Sequence, residues 1–171
     1  MAVSVLILLA IAMMLGPVLM MMPNSGQSRL ASLREKAALM GLRVSMAKSA
    51  GADKPDIAVY TLPWQKPPQH SLGHSDSLVL LKQHFAHGLH FHQYWDYENR
   101  EKPPKLNRHQ CSLISDYLDQ LPEEIRGLAI TPEGVALYWT ERLAGYNTDR
   151  EKLEKIDGLL KSLADVLQKQ P

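Results

Sequence analysis

Apolar residues fill the start of this chain almost without interruption, from Met1 to Met22. The first 28 residues carry no charged side chain. A bilayer core is roughly 30 Å thick, and about 20 apolar residues in a helix are enough to span it. Backbone polar groups inside hydrocarbon need internal partners, so a run of this length is most simply a helix. The pattern therefore predicts an N-terminal transmembrane helix.

A cleaved secretory signal is the alternative interpretation of this run. Such signals begin with positive charge, have a short apolar core and place small residues before the cleavage point. Here no Lys or Arg precedes the run, and Met20-Met21-Met22 stands where small residues belong. The pattern therefore favours an uncleaved anchor.

Basic residues gather directly after the apolar run, at Arg29, Arg34, Lys36 and Arg43. Lys and Arg beside a span stay on the cytoplasmic side of the membrane. This asymmetry predicts an N-terminus outside and a cytoplasmic C-terminal domain. The same four side chains are candidates for contact with the membrane surface, since anionic headgroups attract basic residues.

The other 149 residues have the usual size of one domain and show changing periodicity. The pattern predicts helices over 28–40, from Asn107 onward and over 148–168, and strands over 42–46, 56–62, 78–85, 89–97, 126–130 and 135–139. The predicted class is α+β, with one transmembrane helix followed by a mainly antiparallel sheet and about three helices. The chain then divides into an anchor over 1–22, a juxtamembrane basic helix leading into the first strand over 23–46, and a cytosolic domain over 47–171.

Capping and turn residues support several of these boundaries. Asn107 precedes Gln110 by three residues, as Thr148 precedes Glu151, and both pairs fit a capping box. Thr131-Pro-Glu-Gly134 suits a type I turn, so the two strands beside it are expected to form a hairpin. Gly41 is expected to end the first helix after the apolar run.

Composition narrows the function classes. The net charge is only +1, which argues against a nucleic-acid partner. The single cysteine, Cys111, excludes an intrachain disulfide and a zinc site built on cysteines. The chain has no phosphate-binding glycine loop, nucleophile elbow or comparable catalytic motif, so no cofactor is expected and an enzyme is less favoured than a binding protein.

Histidines concentrate in the middle of the chain, and His84, His87, His90 and His92 are the candidate metal ligands. Imidazoles at short spacings bind zinc, nickel or copper, and His90 and His92 would share one face of a strand. The alternative interpretation is a partly exposed hairpin whose histidines are ordinary polar or packing residues.

Aromatic residues cluster at Tyr94, Trp95 and Tyr97, and again at Tyr138 and Trp139. Tyr and Trp are enriched in the energetic centres of protein interfaces. They are equally common in the cores of sheets, where alternation buries half of each run. The sequence leaves both interpretations open.

The last predicted helix carries an apolar stripe with 3-4-3-4 spacing, a candidate face for a partner helix or a homodimer. Its members are Leu153, Ile156, Leu160, Leu163 and Leu167. Two heptads are short for a coiled coil, so docking of the helix on the domain's own sheet is the alternative.

Residues 15–25, Leu-Gly-Pro-Val-Leu…Met-Pro-Asn-Ser, and residues 29–44, Arg-Leu-Ala-Ser-Leu-Arg-Glu-Lys-Ala…Gly-Leu-Arg-Val, resemble short inner-membrane proteins of gammaproteobacteria. Their layout, an uncharged span followed by a basic helix, is similar to that of YajC, the accessory subunit of the bacterial preprotein translocase. The resemblance covers about the first 45 residues and implies a bacterial inner-membrane location. It carries no catalytic motif, and the longer domain that follows does not match the family.

These observations favour a non-enzymatic, membrane-anchored adaptor, accessory or regulatory subunit of an inner-membrane assembly. Its expected partners are the lipid bilayer and a protein in the membrane or at its cytosolic face. The alternative hypothesis is a membrane-tethered metal-binding protein or metal-dependent enzyme that uses the histidines between His84 and His92.

Overall fold

The computed structural model describes residues 13, 24–47, 57–65, 77–85, 88, 90–104, 106–142 and 146–168. The chain divides into two compact units, Met1–Ser32 and Leu33–Pro171. The described part of the first unit contains the beginning of one helix. The second unit contains the sheet and the other helices, and the candidate site lies within it.

Three helices and six strands make up the described fold, numbered in chain order. They are α1 (Ser25–Leu39), β1 (Arg43–Ala47), β2 (Ile57–Pro63), β3 (Leu78–Lys82), β4 (Trp95–Tyr97), α2 (Arg108–Leu118), β5 (Ile125–Thr131), β6 (Gly134–Trp139) and α3 (Tyr146–Gln168).

The prediction of an N-terminal transmembrane helix is wrong for the fold as described. Among the described residues, none of the helices combines the length and the apolar character needed to cross a membrane. α1 has 15 residues, four of them charged, and α3 has 23 residues, nine of them charged. The predicted span over 1–22 lies outside the described residues, apart from Met13. The described fold class is therefore three helices and an antiparallel sheet. Because the predicted inner-membrane location depended on the transmembrane helix, the fold as described does not support that location.

All strand pairs in the sheet are antiparallel, and the strand order is β1-β2-β6-β5-β3-β4. The β5–β6 hairpin contains the last two strands described in the chain but occupies the centre of the sheet. It pairs with β2 on one side and with β3 on the other. The sheet therefore depends on contacts between distant parts of the sequence.

The hydrophobic core lies on one face of the sheet. Alternate strand residues such as Tyr60, Leu80 and Leu137 point into it, as the two-residue period of a strand requires. Buried residues of α2, of α3 and of the second half of α1 complete the same cluster. The other face carries a smaller cluster of Val59, Ala129 and Ala136. The second unit is therefore a two-layer α+β domain.

The helix ends show which capping predictions hold. Gly41 has φ +89°, and the N–H groups of Gly41 and Leu42 donate to Ala38 O and Ala37 O at 3.0 Å each, which is a Schellman motif. Asn107 and Gln110 form the predicted capping box, with bonds of 2.7 and 3.0 Å. The capping box expected at Thr148 is wrong, because α3 begins two residues earlier.

The continuous strand predicted over 89–97 is also wrong. Only Trp95–Tyr97 forms β4, and a tight turn precedes it. Gln93 has φ +45°, a left-handed conformation that interrupts a strand. The alternation of polar and apolar residues breaks at this turn, where two polar residues, His92 and Gln93, are followed by two aromatic ones, Tyr94 and Trp95.

Candidate functional site

The best candidate site is the end of the β3–β4 hairpin, called the hairpin tip, residues 83–85 and 90–94. The backbone N–H of Gln83 donates to Tyr94 O at 2.7 Å. His92 and Trp95 exchange both backbone bonds, at 3.1 and 2.7 Å, around the left-handed Gln93. These bonds extend the pairing of the two segments beyond β4 and fix the backbone of the hairpin tip at Gln83 and from His92 to Trp95.

Side-chain hydrogen bonds connect the hairpin tip to the C-terminal end of α2. His92 Nε2 lies 2.8 Å from Asp119 Oδ1, and Gln93 Nε2 donates to the same oxygen at 3.2 Å. Asp119 is the C-cap residue of α2. His90 Nδ1 lies 3.0 Å from Gln93 O, which adds a bond within the turn. The left-handed residue is therefore fixed by its neighbours on both sides.

Two aromatic side chains stand out from the hairpin tip. Phe85 is 68% exposed and Tyr94 is 45% exposed. Trp95, directly after Tyr94, is buried in the core, and Lys82 Nζ lies 5.9 Å from the centroid of its ring. An exposed aromatic surface on a fixed base suits binding, since ordered aromatic side chains lose little conformational entropy when they bind.

A buried carboxylate supports the base of the hairpin. Asp96, in β4, is 2% exposed. Its Oδ1 accepts a bond of 2.9 Å from the N–H of Tyr97, and its Oδ2 forms an ion pair with Arg100. A buried charge needs such partners to offset its lost hydration. Asp96 therefore has a structural role beneath the tip.

The predicted metal ligands do not form a metal site in the described structure. His84 is exposed, His90 and His92 bond to Gln93 and Asp119, and His87 lies outside the described residues. Within the ranges described, no three His, Cys, Asp or Glu side chains are grouped closely enough to hold a metal ion. Metal binding by these histidines stays a prediction, which elemental analysis of the purified protein can test.

The four basic residues proposed for membrane contact lie in different settings. Arg29, Arg34 and Lys36 are half-buried on α1, while Arg43 is exposed on β1. Arg34 points to Glu141, with its Nε 2.9 Å from Oε1. Its guanidinium therefore belongs to an internal network rather than to an exposed basic surface.

This network joins α1, β2 and the segment after β6. Tyr60 Oη donates to Glu141 Oε1 at 2.6 Å, and Arg34 donates to both carboxylate oxygens. Burial, followed by the bond to Glu141, raises the pKa of Tyr60. The bond to Glu141 also raises the pKa of Arg34, which keeps the guanidinium charged. Glu141 has φ +49°, so this network holds a backbone conformation that non-glycine residues seldom adopt.

The apolar stripe of α3 lies inside the domain. Its five members are each at most 2% exposed and belong to the main core cluster: Leu153, Ile156, Leu160, Leu163 and Leu167. The helix packs on the sheet at β6 and β2. This face is covered by the chain itself, and we do not propose it as a partner-binding surface.

Sequence reasoning found only part of the hairpin tip. It named Tyr94 and the histidines but missed Phe85, which it placed inside a strand. β3 ends at Lys82, so Phe85 lies in the loop rather than in the sheet. The short spacing between Phe85 and Gly88 is the local signal of a turn that could have indicated its exposure.

The chain matches no protein-family model, and comparisons with curated proteins and with solved structures give no match either. The resemblance of the N-terminal region to YajC stays a prediction. The geometry of the hairpin tip is therefore the main guide to function.

Proposed function

We propose that the α+β domain is a non-enzymatic binding domain that acts as an adaptor, accessory or regulatory subunit of a larger protein assembly. Its contact surface is the hairpin tip, with Phe85 and Tyr94 at the centre. The observation that carries the proposal is the exposure of these two aromatics, 68% and 45%. The turn that carries Tyr94 is bonded to α2 through His92 and Asp119. Large aromatics are the residues that most often dominate the energy of protein interfaces.

The charged clusters of the domain fit this proposal. Glu141 is bound by Arg34 and Tyr60, Asp96 by Arg100, and Glu124 by Lys152. Each carboxylate therefore has a local structural partner that accounts for its position. Phe85 and Tyr94 expose large aromatic surfaces at the hairpin tip, and contact with a partner protein would bury them.

The experiment compares three forms of the full-length protein, each tagged at Pro171 and cross-linked in cells before gentle extraction. The forms are the wild type, the double variant Phe85→Ala with Tyr94→Ala, and the control Leu39→Ala. Leu39 is 84% exposed on α1, so its truncation removes similar apolar surface elsewhere. Quantitative mass spectrometry then measures each co-purifying protein.

A partner recovered with the wild type and with Leu39→Ala, but lost with the double variant, supports the proposal. Truncation of one hot-spot residue costs about 2 kcal/mol, or roughly 30-fold in affinity, so the loss should be nearly complete. If all three forms recover the same partners equally, the hairpin tip is not the contact surface.

A further inference from the structure

β1 is an edge strand with weak protection, because it has no Pro and only one charged residue, Arg43. Among the strands described, none pairs with its outer side. All five residues of β1, Arg43–Ala47, are exposed or half-buried. Native edges are normally protected by Pro, by charged side chains along the edge or facing inward, or by short length, because unpaired N–H and C=O groups can pair with another strand. The opposite edge, β4, has only three residues, whereas β1 has neither Pro nor a charge on its core face.

The register of β1 against β2 shows which side chains share each face. Val44 lies opposite Tyr60 and Met46 opposite Ala58, so both belong to the core face. Val44 packs against the core, but Met46 remains 49% exposed. An apolar side chain at the margin of the core face would be covered if the sheet continued beyond β1.

We propose that β1 pairs antiparallel with β1 of a second copy of this chain, across a two-fold axis at Ser45. The paired sheets then form one continuous sheet, with the core faces on the same side. Ser45 lies opposite Ser45 of the second copy, and Val44 lies opposite Met46 of the second copy. Arg43 lies opposite Ala47 of the second copy. The surface that would pair does not include the hairpin tip.

The sequence of β1 is self-complementary in this register. Opposite residues of an antiparallel pair share a face, so a two-fold axis perpendicular to the sheet must pass through a residue pair. Of the registers that satisfy this condition, only the one centred on Ser45 pairs all five residues. It places Val44 against Met46 and keeps Arg43 away from its own copy, which avoids a like-charge pair. One strand pair is a small interface, so we expect a reversible dimer.

Charge changes at Ser45 test the proposal, because the axis places this exposed residue against its own copy. Ser45→Glu and Ser45→Lys each create a like-charge pair at the axis, whereas an equimolar mixture creates an opposite-charge pair. Ser112→Glu, at an exposed position on α2, is the matched control. Sedimentation equilibrium of the full chain over a range of concentrations measures the dimer, and circular dichroism checks the fold of each variant.

We expect a concentration-dependent dimer for the wild type and for Ser112→Glu. Each Ser45 variant alone should dimerise roughly fivefold more weakly, and the mixture should return to the wild-type affinity or exceed it. A wild-type chain that stays monomeric overturns the proposal. The candidate for pairing with β1 is then an extended segment of a different protein. A dimer that neither Ser45 variant weakens overturns it as well, since association then uses another surface.

Discussion

Two buried tyrosines differ in what their hydroxyl groups contact. Tyr60 is fully buried, and its Oη donates to Glu141. Tyr117, in α2, is 6% exposed, and its hydroxyl has no hydrogen-bond partner among the described residues. Burial raises the pKa of Tyr117, so this hydroxyl stays protonated. A buried polar group without a partner costs about 1–3 kcal/mol relative to one that is satisfied.

The change of each tyrosine to phenylalanine should therefore affect stability differently. Tyr60→Phe removes a bond to a charged group and should lower the free energy of unfolding by about 2 kcal/mol. Tyr117→Phe removes only an unsatisfied hydroxyl and should leave that free energy unchanged or raise it by up to about 1 kcal/mol. Urea denaturation of the full chain provides the comparison. Equal destabilisation by both changes would contradict this account of the two hydroxyls.

At the residue scale, the sequence predicts a side-chain hydrogen bond when the two bonded residues are close together in the chain. The capping box of Asn107 and Gln110 spans three residues and could be read directly. The network of Arg34, Tyr60 and Glu141 could not, because its members are separated by 81 and 107 positions. No short-range pattern encodes such a contact, which exists only once the sheet is assembled.

At the scale of the elements, two glycines in or beside helices should respond differently to the same change. Gly41 adopts φ +89° after α1, a conformation that costs an alanine about 1 kcal/mol. Gly158 lies exposed inside α3, where a Cβ would meet no atom within 4 Å. Gly41→Ala should destabilise the protein by about 1 kcal/mol. Gly158→Ala should stabilise it by about 0.5–1 kcal/mol, because alanine favours the helix.

Thermal unfolding followed by circular dichroism measures this pair of changes. The midpoint should fall for Gly41→Ala and rise for Gly158→Ala. A lower midpoint for Gly158→Ala would show that the added methyl group meets a neighbouring atom, and that α3 is not open to solvent at this position.

The contact between α3 and the segment before β5 should contribute to stability in a pH-dependent way. Lys152 donates to Glu124, and this bond is the main cause that lowers the pKa of the Glu124 carboxyl below its ordinary value of 4.5. A carboxyl with a lowered folded-state pKa stabilises the protein above the unfolded pKa. That contribution disappears as the pH falls through the folded value.

Glu124→Gln should therefore lower the free energy of unfolding at pH 7 by about 0.5–1 kcal/mol, since the pair is partly exposed. It should also reduce the loss of stability below about pH 4.5. The exposed neighbour Glu123 gives the control, Glu123→Gln. Denaturation curves at several pH values measure both variants, and parallel pH profiles for them would rule out a special role for the Lys152 contact.

Element prediction succeeded where pattern and turn chemistry agreed. The β5–β6 hairpin followed from alternation on both sides of Thr131-Pro-Glu-Gly134. The prediction of one strand over 89–97 failed because the alternation breaks at Gln93, where the chain turns, and glutamine does not signal a left-handed conformation. Hydrophobic alternation indicates faces, but it does not show where a strand stops.

At the scale of the whole molecule, the position of the last hairpin decides the architecture. β5 and β6 lie at the centre of the sheet, between the β1–β2 pair and the β3–β4 pair, which precede them in the sequence. Local signals predict the β5–β6 hairpin but not its pairing with β2 and β3, which are distant in sequence. The same long-range packing determines that α3 covers the domain's own core face rather than a partner.

The hairpin tip is the surface on which the proposed function depends, and a photo-reactive cross-linker tests it most directly. A benzophenone amino acid is placed at Phe85, at Tyr94 or, as a control, at Leu39 in the full-length chain and activated in living cells. We expect the cross-linker at Phe85 and at Tyr94 to form an adduct with one distinct protein, and the cross-linker at Leu39 to form no adduct with that protein. Adducts from Leu39 alone, or none from either tip position, would contradict a binding role for the hairpin tip.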